Sequence, residues 1–497
     1  MMHRFIRINS GDNVLVAIAD LKKGEALVVA DKEIVLKEDI PSGHKIALYA
    51  LSPGDQVIKY GYPIGHVVKR VFSGEWVNEH NLHTNLGEIL QYSYNPQYIE
   101  KSTAKEGLTF QGYLRKNGDA GIRNEIWIVP TVGCVNGIVN RLAEKLRTEC
   151  RNTPEVDAVV AFPHNYGCSQ LGDDHDNTRR ILRNIVLHPN AGGVLVVGLG
   201  CENNQLESFR EMLGDYDKER ICFMETQKVE DEIEAGMQLL RKIKDKVLED
   251  RRVELPLEKI RIGLKCGGSD GFSGITANPL IGRFSDFWIA AGGTTVLTEV
   301  PEMFGAEKIL MDRCNSKVVF EKMVALINDF KHYFQRNDQP IYENPSPGNK
   351  AGGISTLEEK SLGCTQKSGS SPIVDVLTYG ERIQKNGLNL LSAPGNDMVA
   401  CTALAASGCQ VILFSTGRGT PLGAFVPTIK IATNTDLFHH KPLWIDFDSG
   451  SSLAGESMEK LCDQFVSYVI SVLNGTYVNN EKNGYRDIGI FKSGVTL

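Results

Sequence analysis

The stretch IWIVPTVGC, residues 126–134, is an apolar, strand-like run that leads directly into a cysteine adjacent to a glycine. The same arrangement returns in VVAFPHNYGC (159–168), VLVVGLGC (194–201) and IRIGLKCGG (260–268). Helical patterns separate these runs, and strands that alternate with helices are typical of parallel βαβ units. The sequence therefore predicts an α/β fold in which cysteines follow the carboxyl ends of strands.

Two successive α/β series extend outward from these runs. In the first series we expect strands at 126–132, 156–162 and 193–198 and helices at 136–149, 175–187 and 229–250. The second series begins near residue 259 and continues through TTVLTEV, LNLLSAP, QVILFST and TIKIATN. Ligands of open α/β sheets bind beyond the carboxyl ends of the strands, so the candidate chemistry lies in the loops that follow them.

The chain divides into three expected domains and a linker. Residues 1–92 alternate short apolar runs with turn signals, which predicts a small β domain, and the polar, aperiodic segment 93–111 predicts an exposed linker. A second α/β domain is expected over 112–255 and a C-terminal parallel-sheet domain over 256–497. Within the last, the Pro-, Gly- and Asn-rich segment 335–353 is typical of a lid or binding loop.

Composition narrows the class of ligand. The 497 residues carry a net charge of -7 and no basic cluster, which argues against nucleic acid and against an anionic membrane as partners. The start of the chain lacks the apolar core of a signal peptide, and no apolar run is long enough for a membrane span. Eleven cysteines without a C-x-x-C pair predict reduced thiols. We expect a cytoplasmic protein with a small-molecule ligand.

Two glycine-rich loops follow expected strands, KCGGSDGFSG (265–274) and STGRGTPLG (415–423). Glycines let backbone N–H groups approach an anion, and an arginine can hold a carboxylate through two hydrogen bonds. The alternative is a pair of ordinary glycine-rich turns. The candidate substrate-binding residues in these loops are Gly268, Ser269, Thr416, Gly417 and Arg418.

Carboxylates and a thiol at strand ends predict a divalent-cation site in the C-terminal domain. An oxygen-rich ligand set favours Mg, Mn or Fe(II). The candidate metal ligands are Cys266, Asp270, Glu299, Glu302 and Asp397. Glu307 is expected on a helix surface instead, and Asn396 or Asp397 fits equally well as the N-cap of the helix that follows.

Lysines and histidines supply candidate proton carriers. Lys360 and Lys367 lie in STLEEKSLGCTQKSGSS beside the expected lid, where a lysine drawn into a closed site acts as a base or a positive clamp. His44 and His80 of the β domain suit proton transfer near neutral pH. The simpler interpretations are a charged helix turn for the lysines and structural roles for the histidines.

Several motifs together resemble one family over nearly the whole chain. These motifs are GHKIAL (43–48), HNLHTNL (80–86), GLGCENNQ (198–205), KCGGSDGFSGITANP (265–279) and EEKSLGCTQKSG (358–369). They are similar to motifs of the altronate and galactarate dehydratase family, in matching order from near the start to near residue 490. The resemblance is closest to the altronate branch, while Trp76 to Glu79 looks more like the galactarate branch.

This resemblance implies a fold, a reaction and a cofactor. It implies an N-terminal β-clip domain of the SAF type, a second domain used for homodimerisation, and a Rossmann-like C-terminal domain that carries a metal site. It further implies a hydro-lyase that removes water from a sugar acid, with D-altronate expected and galactarate as the alternative. Fe(II) is the implied metal, with Mn(II) as a substitute.

Two other functions remain open at the level of sequence. Cys134, Cys168 and Cys201 fit an iron–sulfur hydro-lyase, in which three thiolates hold a cluster and a fourth iron binds the substrate hydroxyl. A non-catalytic sugar-acid sensor is the alternative outside enzymes. A nicotinamide cofactor is not expected, because the Gly198-x-Gly200 pair is followed by Asn203 where a dinucleotide fingerprint requires glycine.

Overall fold

The N-terminal domain consists of short antiparallel strands. The computed structural model describes residues 4–29, 32–87, 89–97 and 107–497. Its first strands are β1 (Phe5–Ile6), β2 (Val14–Ala17), β3 (Ala26–Val29), β4 (Lys32–Val35), β5 (Lys45–Ala47), β6 (Gln56–Lys59), β7 (Tyr62–Val67), β8 (Trp76–Val77) and β9 (Leu82–His83). They form the sheets β1-β2-β5-β8, β3-β4 and β6-β7-β9. The expected small β domain is confirmed.

The expected linker is described only at its two ends, because residues 98–106 lie outside the described residues. Its first part lies against the C-terminal domain: the ring of Tyr94 packs on Phe320, with centroids 5.4 Å apart, and the Gln97 amide donates to the carbonyl of Asp312 at 2.7 Å. Its last part begins a strand at Thr109. The polar composition of the linker therefore did not indicate the aromatic contact near its start or the strand at its end.

The central domain contains a parallel sheet in the order β13-β12-β14-β15 and a small antiparallel sheet, β11-β10-β16. Its elements are β10 (Thr109–Leu114), β11 (Ala120–Gly121), β12 (Glu125–Pro130), α1 (Asn136–Glu149), β13 (Val159–Ala161), α2 (Gly172–Val186), β14 (Ala191–Gly198), α3 (Leu206–Leu213), β15 (Ile221–Glu225), α4 (Glu232–Val247) and β16 (Val253–Pro256). Helix α2 begins three residues before the predicted start, because Asp173 and Asp174 stabilise its first turn.

The C-terminal domain is built on a seven-stranded, fully parallel sheet in the order β19-β20-β18-β17-β21-β22-β23. Its elements are β17 (Arg261–Cys266), α5 (Ala277–Ala290), β18 (Thr294–Leu297), α6 (Glu307–Met311), α7 (Lys317–Arg336), α8 (Pro347–Ala351), α9 (Leu357–Thr365), β19 (Ile373–Leu377), β20 (Leu388–Leu391), α10 (Asp397–Ala406), β21 (Val411–Thr416), β22 (Thr428–Ala432), α11 (Thr435–His440), β23 (Phe447–Asp448), α12 (Met458–Leu473) and α13 (Asn479–Lys482). The predicted α/β class and parallel sheet are confirmed.

The strand order changes direction at β17, which pairs with β18 on one side and with the much later β21 on the other. Such a point opens a crevice at the carboxyl ends of the two strands. Strands buried on both faces read as continuous apolar runs, and β21 is buried throughout. The crevice at β17 and β21 is therefore where a ligand site is expected.

The two parallel sheets present their carboxyl edges on the same side of the molecule. Helices α2 and α10 pack together, and His188, just after α2, contacts the carbonyl of Cys409, just after α10, at 3.2 Å. The helices therefore run in the same direction, and so do the strands that precede them. No helix in the described part of the chain has the length and apolarity needed to cross a membrane.

Candidate active site

A buried group of charged and thiol side chains lies at the carboxyl edge of the C-terminal sheet. Lys265 and Cys266 end β17, and Glu299 follows β18 in the left-handed conformation, with φ +69°, before a short 3-10 turn that carries Glu302. A non-glycine residue in this conformation is strained, which is common at functional sites. The group, here called the lysine–thiol cluster, comprises Lys265, Cys266, Glu299, Glu302, Lys360, Cys364, Lys367 and Asp397.

Two thiols form the centre of the lysine–thiol cluster. The sulfur atoms of Cys266 and Cys364 are 3.4 Å apart, and the Cys266 sulfur also lies 3.1 Å from a Glu302 oxygen and 2.8 Å from the Lys367 ammonium. The hydrogen bond from Cys364 lowers the pKa of Cys266 to about 6, helped by the lysine charge and against the effect of burial. Cys266 is therefore a thiolate at neutral pH, while the pKa of Cys364 is raised.

Three lysines neutralise the cluster. Lys265 donates to the Cys266 carbonyl at 2.5 Å, to Glu299, and to Asp397 at 2.7 Å. The Lys360 ammonium lies 2.8 Å from Glu302. Burial raises the pKa of Glu299 well above its usual range. The three ammonium groups thus lie against the carboxyl groups of Glu299, Glu302 and Asp397 and the thiolate of Cys266.

A segment of the predicted lid covers the crevice beside this cluster. This lid segment, residues 344–353, includes α8, and Asn349 donates from its side chain to the Ser269 carbonyl at 2.8 Å. Lys360 donates to the side-chain oxygen of Asn344 at 3.0 Å, and Arg418 donates to the Gly348 carbonyl at 2.8 Å. The segment is thus tied to both the cluster and the glycine loops.

The N-terminal domain holds the lid segment from the other side. His44 Nε2 donates to the Ala351 carbonyl at 3.2 Å while its Nδ1 accepts from Trp76 at 3.1 Å, so both ring nitrogens are engaged. Lys45 donates to the Gly353 carbonyl at 2.8 Å and forms an ion pair with Glu359 on α9. His44 therefore positions the lid segment, and the structure does not bring it into the cluster as a proton carrier.

The two glycine loops bond to each other. The amides of Gly417 and Arg418 both donate to the Gly268 carbonyl, at 3.1 and 3.0 Å, and Thr416 accepts through its hydroxyl from the Gly419 amide. The Ser269 side chain is buried below the lid segment. These amides are therefore not aimed at an anion, and Arg418 is the candidate substrate-binding residue that reaches the surface.

The structure separates the five predicted metal ligands. Cys266, Glu299, Glu302 and Asp397 join the lysine–thiol cluster, whereas Asp270 accepts hydrogen bonds from Thr433 at 2.9 Å and from the Phe272 amide at 3.1 Å. Burial raises the pKa of Asp270. Its oxygen atoms are satisfied by neutral donors, so Asp270 fixes the glycine loop. Asn396 caps α10, as anticipated for one of the two residues at that position.

The structure places two further side chains, those of His80 and Glu307, in positions that differ from the prediction. The His80 side chain is 77% exposed, 4.0 Å from Glu79, so the structure does not bring it to the cluster. The expectation that Glu307 lies on a helix surface is wrong: it is buried and pairs with Lys331 at 2.8 Å. A helix that carries a carboxylate inward is stable when a buried ammonium compensates the charge.

Sequence reasoning missed Lys265 and Cys364 as parts of the cluster. Lys265 ends the apolar run of β17, and a lysine in a strand buried on both faces is a signal for a buried ion pair. Cys364 followed the same glycine–cysteine pattern as the thiols at strand ends, but lies on α9. Its contact with Cys266 depends on tertiary packing over a long separation in sequence.

The donor atoms of the lysine–thiol cluster determine whether it can hold a metal ion. Cys266, Glu302 and Cys364 offer ligand atoms that all lie within 4.8 Å of one another, a set of donors that iron accepts. The ammonium groups of Lys360 and Lys367 contact two of these donors at 2.8 Å. These ammonium groups occupy the positions beside the donors that a divalent cation would need and would repel it, so the arrangement does not fit a resident cation.

The three cysteines of the alternative cluster lie elsewhere. Cys134, Cys168 and Cys201 are exposed on loops of the central domain. They follow three neighbouring strands of its parallel sheet, on the side of the molecule that also carries the lysine–thiol cluster. None of them belongs to that cluster.

Comparison with known proteins assigns each part of the chain. Residues 3–85 match the profile "Altronate/galactarate dehydratase SAF domain", residues 112–247 match "D-galactarate dehydratase/Altronate hydrolase, second domain", and residues 257–496 match "D-galactarate/Altronate dehydratase, C-terminal". The chain is 57% identical to the altronate dehydratase of Bacillus subtilis (strain 168), with all of both chains covered.

Two relatives from Escherichia coli (strain K12) extend the comparison. The chain is 56% identical to the altronate dehydratase of that organism, over 99% of this chain and 100% of the relative. It is 33% identical to the galactarate dehydratase (L-threo-forming), over 95% of this chain and 93% of the relative. The similarity to the altronate enzymes is thus higher, and it extends over the whole length.

Proposed function

The chain belongs to the altronate/galactarate dehydratase family, and on this premise we propose that it is a hydro-lyase that removes water from D-altronate. The product is 2-dehydro-3-deoxy-D-gluconate. The observation that carries the proposed site is the buried thiolate of Cys266, which lies between Lys367 and Glu302 next to a closable crevice.

The reaction requires a base and a means to spread negative charge. The proton at C2 leaves, the C3 hydroxyl departs, and the resulting enol tautomerises to the keto acid. Removing a proton next to a carboxylate places a second charge on an anion, so the intermediate is an enediolate. Fixed positive groups in a dry site stabilise such charge most effectively.

The lysine–thiol cluster can supply both functions. Cys266, with a pKa of about 6, is poised as the base, because a proton acceptor works best when its pKa lies near the operating pH. Lys360, in the same cluster, is protonated. Burial alone would lower its pKa, but the nearby negative charges, chiefly that of Glu302, have the larger combined effect and raise it. Lys360 is therefore the candidate acid for the departing hydroxyl, and Lys367 holds the thiolate in place.

The lid segment explains how a buried site can admit a substrate. The segment makes one hydrogen bond each with Ser269 and Arg418, and Lys360 donates to the side chains of Asn344 and Asn349. These contacts can open without unfolding a domain. The exposed Arg418 is placed to draw in a sugar-acid carboxylate. Closure would then exclude water and strengthen the electrostatic interactions of the cluster.

Anaerobic turnover with matched acids tests the proposed function. Altronate, galactarate and a third aldonate of the same length would be incubated side by side, and the keto-deoxy product would be measured. We expect altronate to be converted fastest. Equal or faster conversion of galactarate would move the chain to the galactarate branch, and absence of product from every acid would contradict the hydro-lyase assignment.

The family resemblance also implies a metal requirement, with Fe(II) first and Mn(II) as the alternative. Because the lysine–thiol cluster does not fit a cation, the proposal routes no step of the reaction through a metal at that place. A cytoplasmic location is also proposed, supported by eleven free cysteines, which persist in reducing compartments.

A homodimer formed through the central domain completes the proposal. Leu114 and Val253 are exposed on neighbouring strands of its antiparallel sheet, as expected for apolar residues that a second copy would cover. Light scattering during size-exclusion chromatography measures the mass directly. A monomeric mass would contradict the proposed dimer without affecting the proposed reaction.

Oxidation is expected to inactivate the enzyme by joining Cys266 to Cys364. Hydrogen peroxide would oxidise the Cys266 thiolate to a sulfenic acid while peroxide is reduced to hydroxide. The Cys364 thiol, 3.4 Å away, would then form the disulfide and release water. Activity should return with dithiothreitol, and the Cys364→Ser variant should form no disulfide. Peptide mapping that finds both thiols unpaired in the inactivated enzyme would contradict this.

A further inference from the structure

Three neighbouring loops at the carboxyl edge of the central sheet each carry an exposed thiol. Cys134, Cys168 and Cys201 follow β12, β13 and β14, which lie side by side in the order β13-β12-β14. Because these strands are parallel, their carboxyl ends meet at one edge. The other cysteines of the chain are buried or partly buried. The exposed thiols are thus concentrated at one place.

Hydrogen bonds fix the three loops to one another. The Gly133 amide donates to the Tyr166 carbonyl at 2.9 Å, which joins the first loop to the second. Asn204 on the third loop donates from its amide to the Gly167 carbonyl at 3.0 Å and from its side chain to the Thr131 carbonyl at 3.1 Å. The relative positions of the three loops that carry the thiols are therefore set by the fold.

Glycine is required immediately before the second and the third of these cysteines. Gly167 has φ +98°, and a Cβ there would lie 2.0 Å from the Thr131 carbonyl oxygen. Gly200 has φ +130°, and a Cβ there would lie 2.6 Å from a side-chain oxygen of Gln227. Gly167 allows a close approach of two backbone segments that a side chain would prevent, while at Gly200 the positive φ itself favours glycine. The sequence pattern of glycine followed by cysteine thus has a steric cause at these loops.

Two of the thiols contact neutral groups, and one buried polar atom where the loops meet is unsatisfied. The sulfur of Cys168 lies 3.9 Å from the Ser169 hydroxyl, and that of Cys201 lies 3.7 Å from the Gln227 amide. Asn204 is fully buried where the loops meet, and among the described residues its side-chain oxygen finds no hydrogen-bond partner. Buried polar atoms without partners are uncommon and point to a missing ligand or water.

Three soft thiols on loops that are bonded to one another, beside an unsatisfied buried oxygen, suit iron–sulfur ligation. Among the described residues, these thiols do not form the compact group of ligand atoms, all within 4.8 Å of one another, that a single ion would need. We propose that Cys134, Cys168 and Cys201 bind a [4Fe–4S] cluster whose fourth iron is open to an oxygen ligand.

This site differs from the lysine–thiol cluster in its charges. Lysine ammonium groups occupy the donors of the lysine–thiol cluster, whereas the contacts of the Cys168 and Cys201 sulfurs are with a hydroxyl and an amide. Soft thiolates without competing cations suit iron–sulfur ligation. The proposed site thus offers a location for iron that the C-terminal domain does not, and it stands independently of which sugar acid the enzyme uses.

Anaerobic reconstitution with ferrous iron, sulfide and a thiol reductant tests the proposal on the full-length chain. The wild type should take up about four iron and about four sulfide ions per chain and develop broad visible absorption. Cys134→Ser, Cys168→Ser and Cys201→Ser should each lose most of that absorption and of the bound sulfide. The Cys222→Ser variant, at a partly buried thiol of β15 in the same domain, should retain both.

Alkylation provides a second measurement that does not depend on any variant folding. In the reconstituted wild type, the three exposed thiols should be protected from iodoacetamide, and they should react once the iron is chelated. Equal iron and sulfide content in wild type and in the triple serine variant would overturn the proposal. So would loss of the absorption in Cys266→Ser together with its retention in Cys134→Ser, because iron would then reside in the C-terminal domain.

Discussion

Replacement of Cys266 by serine is expected to lower kcat for altronate by about 10²- to 10⁴-fold, the range that a positioned proton acceptor contributes. A serine hydroxyl keeps the approximate shape of the side chain but is not ionised near neutral pH, so the C2 proton would lose its acceptor. Lys367, which lies 2.8 Å from the Cys266 sulfur, would then face a neutral hydroxyl in place of a thiolate. Steady-state formation of the keto-deoxy product measures the effect.

The matched control is Cys409→Ser. Cys409 is also a buried thiol of the C-terminal domain, but it contacts Ser407, and burial raises its pKa to about 12. We expect its activity to stay within about twofold of wild type, because it takes no part in the lysine–thiol cluster. Similar losses in both variants would indicate a structural effect and would remove Cys266 from the role of base.

The pH dependence supplies a signature that a structural role would not give. The pKa of Cys266 is lowered to about 6, and the thiolate is the active form, so kcat/KM should rise as the pH increases through about 6. In the Cys266→Ser variant, the residual activity should no longer show this rise of kcat/KM with pH. If the rise of kcat/KM with pH persists unchanged in the variant, the titrating group is one other than Cys266.

Periodicity and turn signals were sufficient for the fold because its elements are strongly patterned. Strand β17 lies at the centre of the sheet, and its middle residues, Ile262 to Leu264, are apolar and buried, as is typical of strands covered on both faces. Strands β19 (Ile373–Leu377) and β23 (Phe447–Asp448) were not predicted, since the first is interrupted by the charged Asp375 and the second has only two residues at the sheet edge.

The candidate site was only partly predictable, because its contacts join distant segments. The strand-end rule located Cys266, Glu299 and Glu302 correctly at one edge. It also selected Asp270, whose neutral hydrogen-bond donors depend on a loop more than 150 residues away, at Thr433. The pairing of Cys266 with Cys364 likewise requires the packing of α9 on the sheet, which no local pattern encodes.

The largest effect on stability is expected from Glu359→Gln. Glu359 is buried on α9 and accepts from two buried lysines of the N-terminal domain, Lys45 at 2.9 Å and Lys59 at 2.7 Å. Glutamine would leave both ammonium groups buried without a counter-charge, which typically costs about 3–5 kcal/mol. The loss should appear as faster amide hydrogen exchange in β5 and β6 and as a lower urea midpoint.

The adjacent residue provides the control. Glu358 is equally buried, but it accepts from neutral donors, the Thr84 hydroxyl at 2.8 Å and the Asn85 amide at 2.6 Å. Glu358→Gln leaves no charge uncompensated, so we expect a smaller loss of about 1–2 kcal/mol. Equal losses in the two variants would contradict the importance of the lysine pair.

Acid should remove the difference between wild type and Glu359→Gln. Burial alone would raise the pKa of Glu359, but Lys45 and Lys59 lower it to about 2, below the value of about 4.5 for an unperturbed glutamate. A carboxyl group with a depressed pKa stabilises the folded state fully above its unfolded value and loses that contribution as the pH falls towards the folded value. The stability gap between the two proteins should therefore be constant above about pH 5 and should narrow between about 4.5 and 2. A gap that stays constant through this acid range would show that Glu359 does not form its ion pairs with Lys45 and Lys59 in solution.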